Sequence, residues 1–427
     1  MEKLVSFVTC AIVLAACSRK PAPIEQQTTP KVVPADGQGQ ATEPRVGPNP
    51  GVPVETAPPN VPTNKPAFAG QTRANAVHTK AAIKIDEVAK DLDQPWAIAF
   101  LPDRRMLVTE KHEGRLVLLG TDGKKLNVAG VPKVDGRDQS GLLAVTLAPD
   151  YEKSQLIYLS YSEKREGGNG LAVARAKLVD GAAPKLDQLK VIFRMQPTLD
   201  STKHSGGRML FAPDGMLYVV LGERSIIEGR VQAQDLKSHF GKIVRIQPDG
   251  SVPKDNPFVD KPEARPEIWS LGHRNVLGVA LDDKKRLWVA EMGPRGGDEI
   301  NLVERGKDYG WPTIGYGEEY SGEPIHKTTQ APGMEQPVYY WDPVISPGAL
   351  MIYSGQVFPE WKGNLFVAGL SSKALIRLVL ENDRVIGEER LLADRETRIR
   401  DVVQGPDGAI YVLTDGGGAK VWKLTPA

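Results

Sequence analysis

From residue 95 onward the chain alternates short apolar runs with Pro-Asp or Asp-Gly turns, and one phrase comes round six times. An apolar run meets the turn and a second apolar run follows. The copies are Trp96-Ala-Ile-Ala-Phe-Leu-Pro102-Asp103 then Met106-Leu-Val, and Leu142-Leu-Ala-Val-Thr-Leu-Ala-Pro149-Asp150 then Leu156-Ile-Tyr-Leu. Arg208-Met-Leu-Phe-Ala-Pro213-Asp214-Gly215 then Leu217-Tyr-Val-Val follows, and after it Val276-Leu-Gly-Val-Ala-Leu-Asp282-Asp283 then Leu287-Trp-Val-Ala. The fifth is diverged, Tyr353-Ser-Gly-Gln-Val-Phe-Pro359 then Asn364-Leu-Phe-Val-Ala; the last is Asp401-Val-Val-Gln-Gly-Pro406-Asp407-Gly408 then Ile410-Tyr-Val-Leu. Such a unit is a β-hairpin, and repetition at this period means one unit stacked many times. The expected fold is all-β, a six-bladed β-propeller. Its turns are 47 to 77 residues apart, and the surplus falls in two stretches, 222–265 and 292–348. Long loops on a rigid scaffold are where binding and catalysis concentrate. An earlier run, Ala82-Ile-Lys-Ile-Asp-Glu-Val, is placed to add an outer strand to the last blade and close the ring.

The first 77 residues read differently. Lys3 precedes 13 apolar or small residues, Leu4 to Ala16. That is too short to span a hydrocarbon layer about 30 Å thick. The stretch ends in Leu14-Ala15-Ala16-Cys17, which resembles a bacterial lipobox. Residues 1–17 are therefore expected to be a signal peptide cut before Cys17, which would carry the lipid. This places the protein in the cell envelope, anchored by lipid and facing the periplasm; Ser18 favours the outer membrane of a Gram-negative host. Residues 18–77 are rich in Pro, Gly, Thr, Gln and Ala. Such a composition buries too little surface to offset ordering entropy, so a disordered tether is expected, followed by the propeller domain at 78–427. Both cysteines, Cys10 and Cys17, lie in the signal. The mature body then has neither disulfide nor thiolate chemistry. Net charge is +1, with 54 basic against 53 acidic residues, which gives no footprint for nucleic acid. The lipid anchor is the one membrane contact expected.

Three constellations could carry chemistry. His204 stands in Lys203-His204-Ser205-Gly206-Gly207-Arg208, at the entrance of the third repeat. The glycines after it allow close backbone approach, and an imidazole there can act as a general base or simply bond to backbone. His239 and His273 offer the same alternatives, while His78, His112 and His326 read as surface residues. In Arg398-Ile399-Arg400-Asp401 the two arginines face one side if the segment is a strand. They then present two guanidinium forks to a polyanion, or else decorate a solvated face. Gly293-Pro-Arg-Gly-Gly-Asp298-Glu299-Ile-Asn301, followed by Asp308-Tyr309-Gly-Trp-Pro312, offers carboxylates and free carbonyls to a hard cation such as Ca²⁺, or is a tight loop held by its own hydrogen bonds. It is no EF-hand, and Zn²⁺ is disfavoured without cysteine ligands. No Rossmann, Walker or Gly-x-Ser-x-Gly phrase occurs.

Taken in order, these phrases resemble the soluble PQQ-dependent aldose sugar dehydrogenases, the family of soluble quinoprotein glucose dehydrogenase. The phrases are Gln139-Ser-Gly-Leu-Leu143, His204-x-Gly-Gly-Arg208, Gly241-Lys-Ile-Val-Arg245, Asp249-Gly-Ser-Val-Pro253-x-Asp255-Asn-Pro257, Glu267-Ile-Trp-Ser-Leu-Gly-His-Arg274-Asn275, Gly293 to Asn301, Tyr309-Gly-Trp-Pro312 and Arg398-Ile-Arg400-Asp-Val402. The resemblance covers about residues 85–425. It implies a six-bladed propeller with pyrroloquinoline quinone (PQQ) over the channel mouth and Ca²⁺ beside it. It puts His204 on the base that deprotonates the sugar's anomeric hydroxyl while the C1 hydride passes to the quinone, giving a lactone and electrons for an external acceptor. Arg398 and Arg400 fall on arginines that hold the cofactor. Gln139 falls at the sugar pocket, with Trp341 taken as a second residue there, and Glu299 and Tyr309 match a structural Ca²⁺ site. Two departures bear on the cofactor. The family's lysine after the leucine aligned with Leu370 is Ser371 here, with Lys373 on the same face if the segment is extended. The family's Arg-Asn pair after the third repeat is replaced by Glu223-Arg224-Ser225, so that Arg224 alone can substitute. Losing a charged partner at a buried anion costs about 2–5 kcal/mol. Two rivals therefore stand beside the dehydrogenase: a propeller lipoprotein that binds a sugar or a protein without catalysis, and a Ca²⁺-dependent lactone hydrolase.

Overall fold

The computed structural model describes residues 51–427. The expected signal peptide, Cys17 and the tether up to residue 50 lie outside the described residues.

Six four-stranded sheets make up the domain, each antiparallel throughout and together a six-bladed propeller. Five of the six repeated phrases supply the first two strands of a blade; the diverged fifth begins at Tyr353, just after the first strand of blade 5, and supplies only the second. The first strands are Pro95–Phe100, Leu142–Leu147, Gly206–Phe211, Val276–Leu281, Pro347–Ile352 and Ile399–Gln404. The second strands include Met106–Glu110, Leu217–Leu221, Leu287–Glu291, Leu365–Gly369 and Ile410–Thr414, all buried along their whole length. Each is covered by neighbouring blades on both faces, which is why these strands read as continuous apolar runs rather than as alternation.

Ring closure follows the expectation. Ile83–Asp93 pairs antiparallel with Gly417–Pro426 and supplies the outer strand of the last blade. The two ends of the propeller are thus hydrogen-bonded to each other, and no ring edge is left open there.

A polar lock crosses the channel. Arg208, on the first strand of blade 3, donates to the Leu277 carbonyl (3.2 Å), the Gly348 carbonyl (3.2 Å) and Asp401 (3.1 Å), and lies 4.4 Å over the Trp96 ring. Asp401 also accepts the Ile98 N–H at 2.9 Å. Five of the six first strands meet at this one side chain.

The later part of the expected tether is packed on the propeller. Residues 52–77 lie along blades 4 and 5, bonded through Asn60, Asn64, Gln71 and Arg73. Ala76 bridges in parallel to Glu388. Side-chain hydrogen bonds rather than apolar burial hold this segment, which is why its composition alone reads as disordered.

Candidate active site

The connections that enter each first strand, and those that leave each second strand, gather at one end of the channel. His204 enters blade 3 there, with backbone φ of 45°. A side chain in this left-handed region is strained and persists only when its surroundings hold it. Here the His204 N–H donates to Gln139 Oε1 (3.1 Å), and the His204 carbonyl accepts the Arg224 N–H (3.3 Å). Gly206 follows at φ 69°, and a Cβ there would lie 2.4 Å from the Val220 carbonyl oxygen. Only glycine allows the second strand to pass so close behind the histidine.

His204 is 6% exposed, and its Nδ1 lies 2.6 Å from Glu223 Oε1. A carboxylate there fixes the Nδ1–H tautomer and leaves Nε2 as the basic nitrogen. Burial, reinforced by Arg274, pulls the imidazole down to about 4 against the opposing pull of Glu223. The ring is neutral at physiological pH, as a base must be. Glu223 leaves the second strand of the same blade. It was not singled out in the sequence because nothing local marks it; an acidic residue two positions beyond a second strand whose first strand follows a histidine is the signal that would have found it.

Arg398 and Arg400 share one side, as their spacing requires. Both grip the same carboxylate: Arg398 Nε is 2.9 Å from Asp415 Oδ2 and Arg400 Nε is 2.9 Å from Asp415 Oδ1. Burial works against the charged form of Asp415, but Arg400 and Arg398 hold its carboxyl below the usual range. Lys111, which follows the second strand of blade 1, joins this cluster. Burial and then Arg400 bring its ammonium down to about 8, with Asp415, Asp138 and Arg398 also acting on it. The Lys111 carbonyl accepts the Leu142 N–H at 2.9 Å, so blade 1 connects the arginines to the Gln139 loop and hence to His204. Three cations around Asp415 leave an excess of positive charge at the mouth. Lys111 was not anticipated because it comes from another blade, and Asp415 because it follows the second strand of the arginines' own blade, 15 residues beyond Arg400.

Three expectations need correction. Arg224 is fully buried. It donates to Ser205 Oγ (2.7 Å), Asn169 Oδ1 and the Ser201 carbonyl, so both terminal nitrogens brace the loop behind His204 and only the buried Nε is left without a partner. Residues 371–373 form a turn rather than a strand: Lys373 has φ of 50° and is exposed, so it does not share a strand face with Ser371, whose hydroxyl donates to the Val344 carbonyl at 3.2 Å. Trp341 is 2% exposed on the outermost strand of blade 4, with its indole N–H given to Glu388 Oε2 at 3.0 Å. It is a core residue and does not reach the mouth.

Glu299 and Tyr309 do line one cavity, with Glu291, Trp311, Tyr316 and His326 among its walls. Its volume is about 20 Å³, room for one water-sized species. Burial, with Glu291 beside it, pushes Glu299 well above the usual carboxylate range. Asn301 Nδ2 bridges the two acids, 2.9 Å from Glu291 and 3.1 Å from Glu299. A cation fits this pair by size and charge. The Tyr309 hydroxyl is already spent on the Leu302 carbonyl (2.7 Å) and the Glu304 N–H (2.9 Å), which leaves its backbone carbonyl. Among the described residues no three His, Cys, Asp or Glu side chains converge as ligands, so an ion here would lean on carbonyl oxygens. Asp298 instead serves the loop, accepting the N–H groups of Gly293, Ile345 and Ser346 at 2.6–2.8 Å. His326, expected at the surface, is largely buried, with Nδ1 2.7 Å from the Pro312 carbonyl.

A propeller with a buried histidine–carboxylate pair beside a cationic mouth has relatives. Residues 92–423 match the model of the glucose / sorbosone dehydrogenase family, and the chain belongs to that family. It is 41% identical over 351 residues to the aldose sugar dehydrogenase YliI of Escherichia coli, covering 81% of this chain and 94% of that protein. A crystal structure of a glucose dehydrogenase superposes with a TM-score of 0.78 at 44% identity, over 81% of this chain and 100% of its own. The PQQ-bound aldose sugar dehydrogenase of Streptomyces coelicolor gives 0.68 at 29% identity, over 81% of this chain and 98% of that one.

Proposed function

We propose that this protein is a PQQ-dependent aldose dehydrogenase that oxidises a sugar at C1 to its lactone and passes the electrons to an external acceptor. The observation that carries the reading is His204: a buried neutral base, oriented through Nδ1 by Glu223, beside a mouth with excess positive charge. The cationic donor set suits a tricarboxylate. Arg398, Arg400 and Lys111 would hold the carboxylates of PQQ, charge-assisted bonds being the strong ones. When bound, the quinone supplies the hydride acceptor. His204 Nε2 takes the proton of the anomeric hydroxyl, and Glu223 stabilises the imidazolium that forms. Gln139, already bonded to the His204 N–H, orients the base and borders the sugar. Calcium at Glu299 and at nearby carbonyls completes the reading, as do lipid anchoring through Cys17 and an envelope location.

The experiment is a titration of the purified protein with PQQ and Ca²⁺, following quinone absorbance before and after a panel of aldoses. Saturable binding with sugar-dependent bleaching is expected, and His204→Ala should abolish the bleaching while leaving binding intact. A His204→Ala protein that bleaches at the wild-type rate would refute the assigned base. Arg224 spent on the loop behind His204, with Ser371 in the family's lysine position, favours one second reading, a non-catalytic sugar- or protein-binding propeller lipoprotein. It predicts no PQQ binding at high micromolar concentration.

A further inference from the structure

Residues 52–77, ahead of the outer strand Ile83–Asp93, are tied down at both ends. On the blade 5 side, Glu55 pairs with Arg390 at 2.9 Å, and the Val77 N–H donates to the Glu388 carbonyl at 2.9 Å. On the other side the contacts converge on two residues of the 292–348 stretch. Asp342 accepts the Asn60 N–H (2.8 Å), Asn60 Nδ2 (2.8 Å) and the Val61 N–H (3.0 Å). The Tyr316 carbonyl accepts from Asn64 Nδ2 (3.0 Å), and its hydroxyl lies between Gln336 Oε1 (2.6 Å) and Gln71 Oε1 (3.1 Å). Gln71 is fully buried, and its Nε2 donates to the Pro337 carbonyl at 2.8 Å.

Both anchor residues touch the Glu299 loop. Tyr316 is a wall of the cavity and stacks on Tyr340 at 3.8 Å. A Cβ on Gly297 would come within 3.0 Å of the Tyr316 backbone, and one on Gly296 would lie 3.0 Å from the Asp342 carboxylate. The two glycines preceding Asp298-Glu299 are therefore wedged against the residues that this segment holds.

We propose that residues 52–77 are a positioning strap that fixes the walls of the Glu299 cavity through Asp342 and Tyr316 and so sets its affinity for a divalent cation. The affinity half of this proposal rests on the cation reading of the cavity. Glu299 itself sits on the strand Asp298–Val303, paired with Glu291 on one side and Tyr340 on the other, so the strap acts on the Gly-rich turn ahead of that strand and on the wall at Tyr316.

The test uses full-length protein carrying Asn60→Ala with Gln71→Ala, and Glu55→Gln as a control that loosens only the blade 5 end. Hydrogen exchange of peptides covering 293–301 and 308–318 is read alongside Ca²⁺ titration, with Tb³⁺ luminescence sensitised by Trp311 and Tyr316 as a second probe. The double variant should keep a cooperative melt, exchange these peptides at least tenfold faster and bind Ca²⁺ at least tenfold more weakly, while Glu55→Gln matches wild type. Unchanged exchange in the double variant overturns the strap whether or not an ion binds. Unchanged Ca²⁺ affinity in the face of faster exchange overturns its role in binding. A wild-type protein that binds neither ion overturns the cation reading, leaving positioning to be decided by exchange.

Discussion

At the level of single residues, protonation of His204 decides when the site works. Burial first, and Arg274 second, bring its pKa to about 4, below the ordinary value of about 6.5. A base acts only when unprotonated, so the kcat/KM of the holoenzyme should stay flat from neutral pH down to about 5 and fall as pH drops through about 4. Glu223→Gln removes the partner that favours the imidazolium, so the acid limb should move to lower pH while kcat falls ~10²–10⁴-fold, the range for a general base that has lost its support. An acid limb near 6.5 would show that the imidazole is not shielded as the geometry requires. Lys111→Met tests the mouth: PQQ affinity should drop about tenfold or more, with Lys111→Arg close to wild type. Above about pH 8 the wild-type affinity should decline as the ammonium titrates, and that decline should vanish in Lys111→Arg, whose guanidinium stays charged. Arg398, Arg400, Asp415 and Asp138 face this lysine.

The repeated strand is the next level up, and it is where the sequence was most legible. Pro-Asp and Asp-Gly turns between apolar runs are local signals, so five of the six hairpins were placed; the fifth, without such a turn, was read one segment late, its first strand being Pro347–Ile352. What joins elements was not legible. Glu223, Lys111 and Asp415 reach the mouth from three different blades, and a contact between residues far apart in sequence leaves no local mark. Trp341 misled because aromatic residues suit both a sugar platform and a blade core; the deciding partner, Glu388, lies 47 residues away. The strap misled because composition reports apolar burial, whereas Asn60, Asn64 and Gln71 hold by hydrogen bonds. The Arg208–Asp401 lock likewise joins elements that the sequence separates by 193 residues. Both partners are largely buried, with side-chain exposures of 11% and 2%. Removing one leaves an uncompensated charge, at a cost of about 3–5 kcal/mol. Arg208→Met should lower the free energy of denaturant unfolding by that amount, and Arg208→Met with Asp401→Leu should recover part of it. A single variant within 1 kcal/mol of wild type would mean that water reaches the freed carboxylate.

For the molecule as a whole, the ring makes the blades one cooperative body. Each sheet is buried between two neighbours, and the lock ties five first strands, so no blade can melt without exposing the adjoining faces. The last blade is the test, because it alone is assembled from both ends of the domain. Its outer strand, Ile83–Asp93, reaches the remaining three strands through the pairing with Gly417–Pro426. Leu92 on this strand is fully buried and opposite Ala419. Leu92→Ala removes methyl groups from a packed site, which costs about 2–5 kcal/mol. In an open array that loss would stay local, giving an early partial transition in which the last blade frays and Arg398, Arg400 and Asp415 go with it. In a closed ring the loss is shared by every blade. Leu92→Ala should therefore lower the melting temperature of the whole domain while preserving a single transition, coincident by far-ultraviolet circular dichroism and by tryptophan fluorescence. PQQ affinity should be unchanged below that transition. Two separated transitions, or weakened PQQ binding well below the melt, would show that the last blade opens by itself and that closure does not couple the mouth to the rest of the ring.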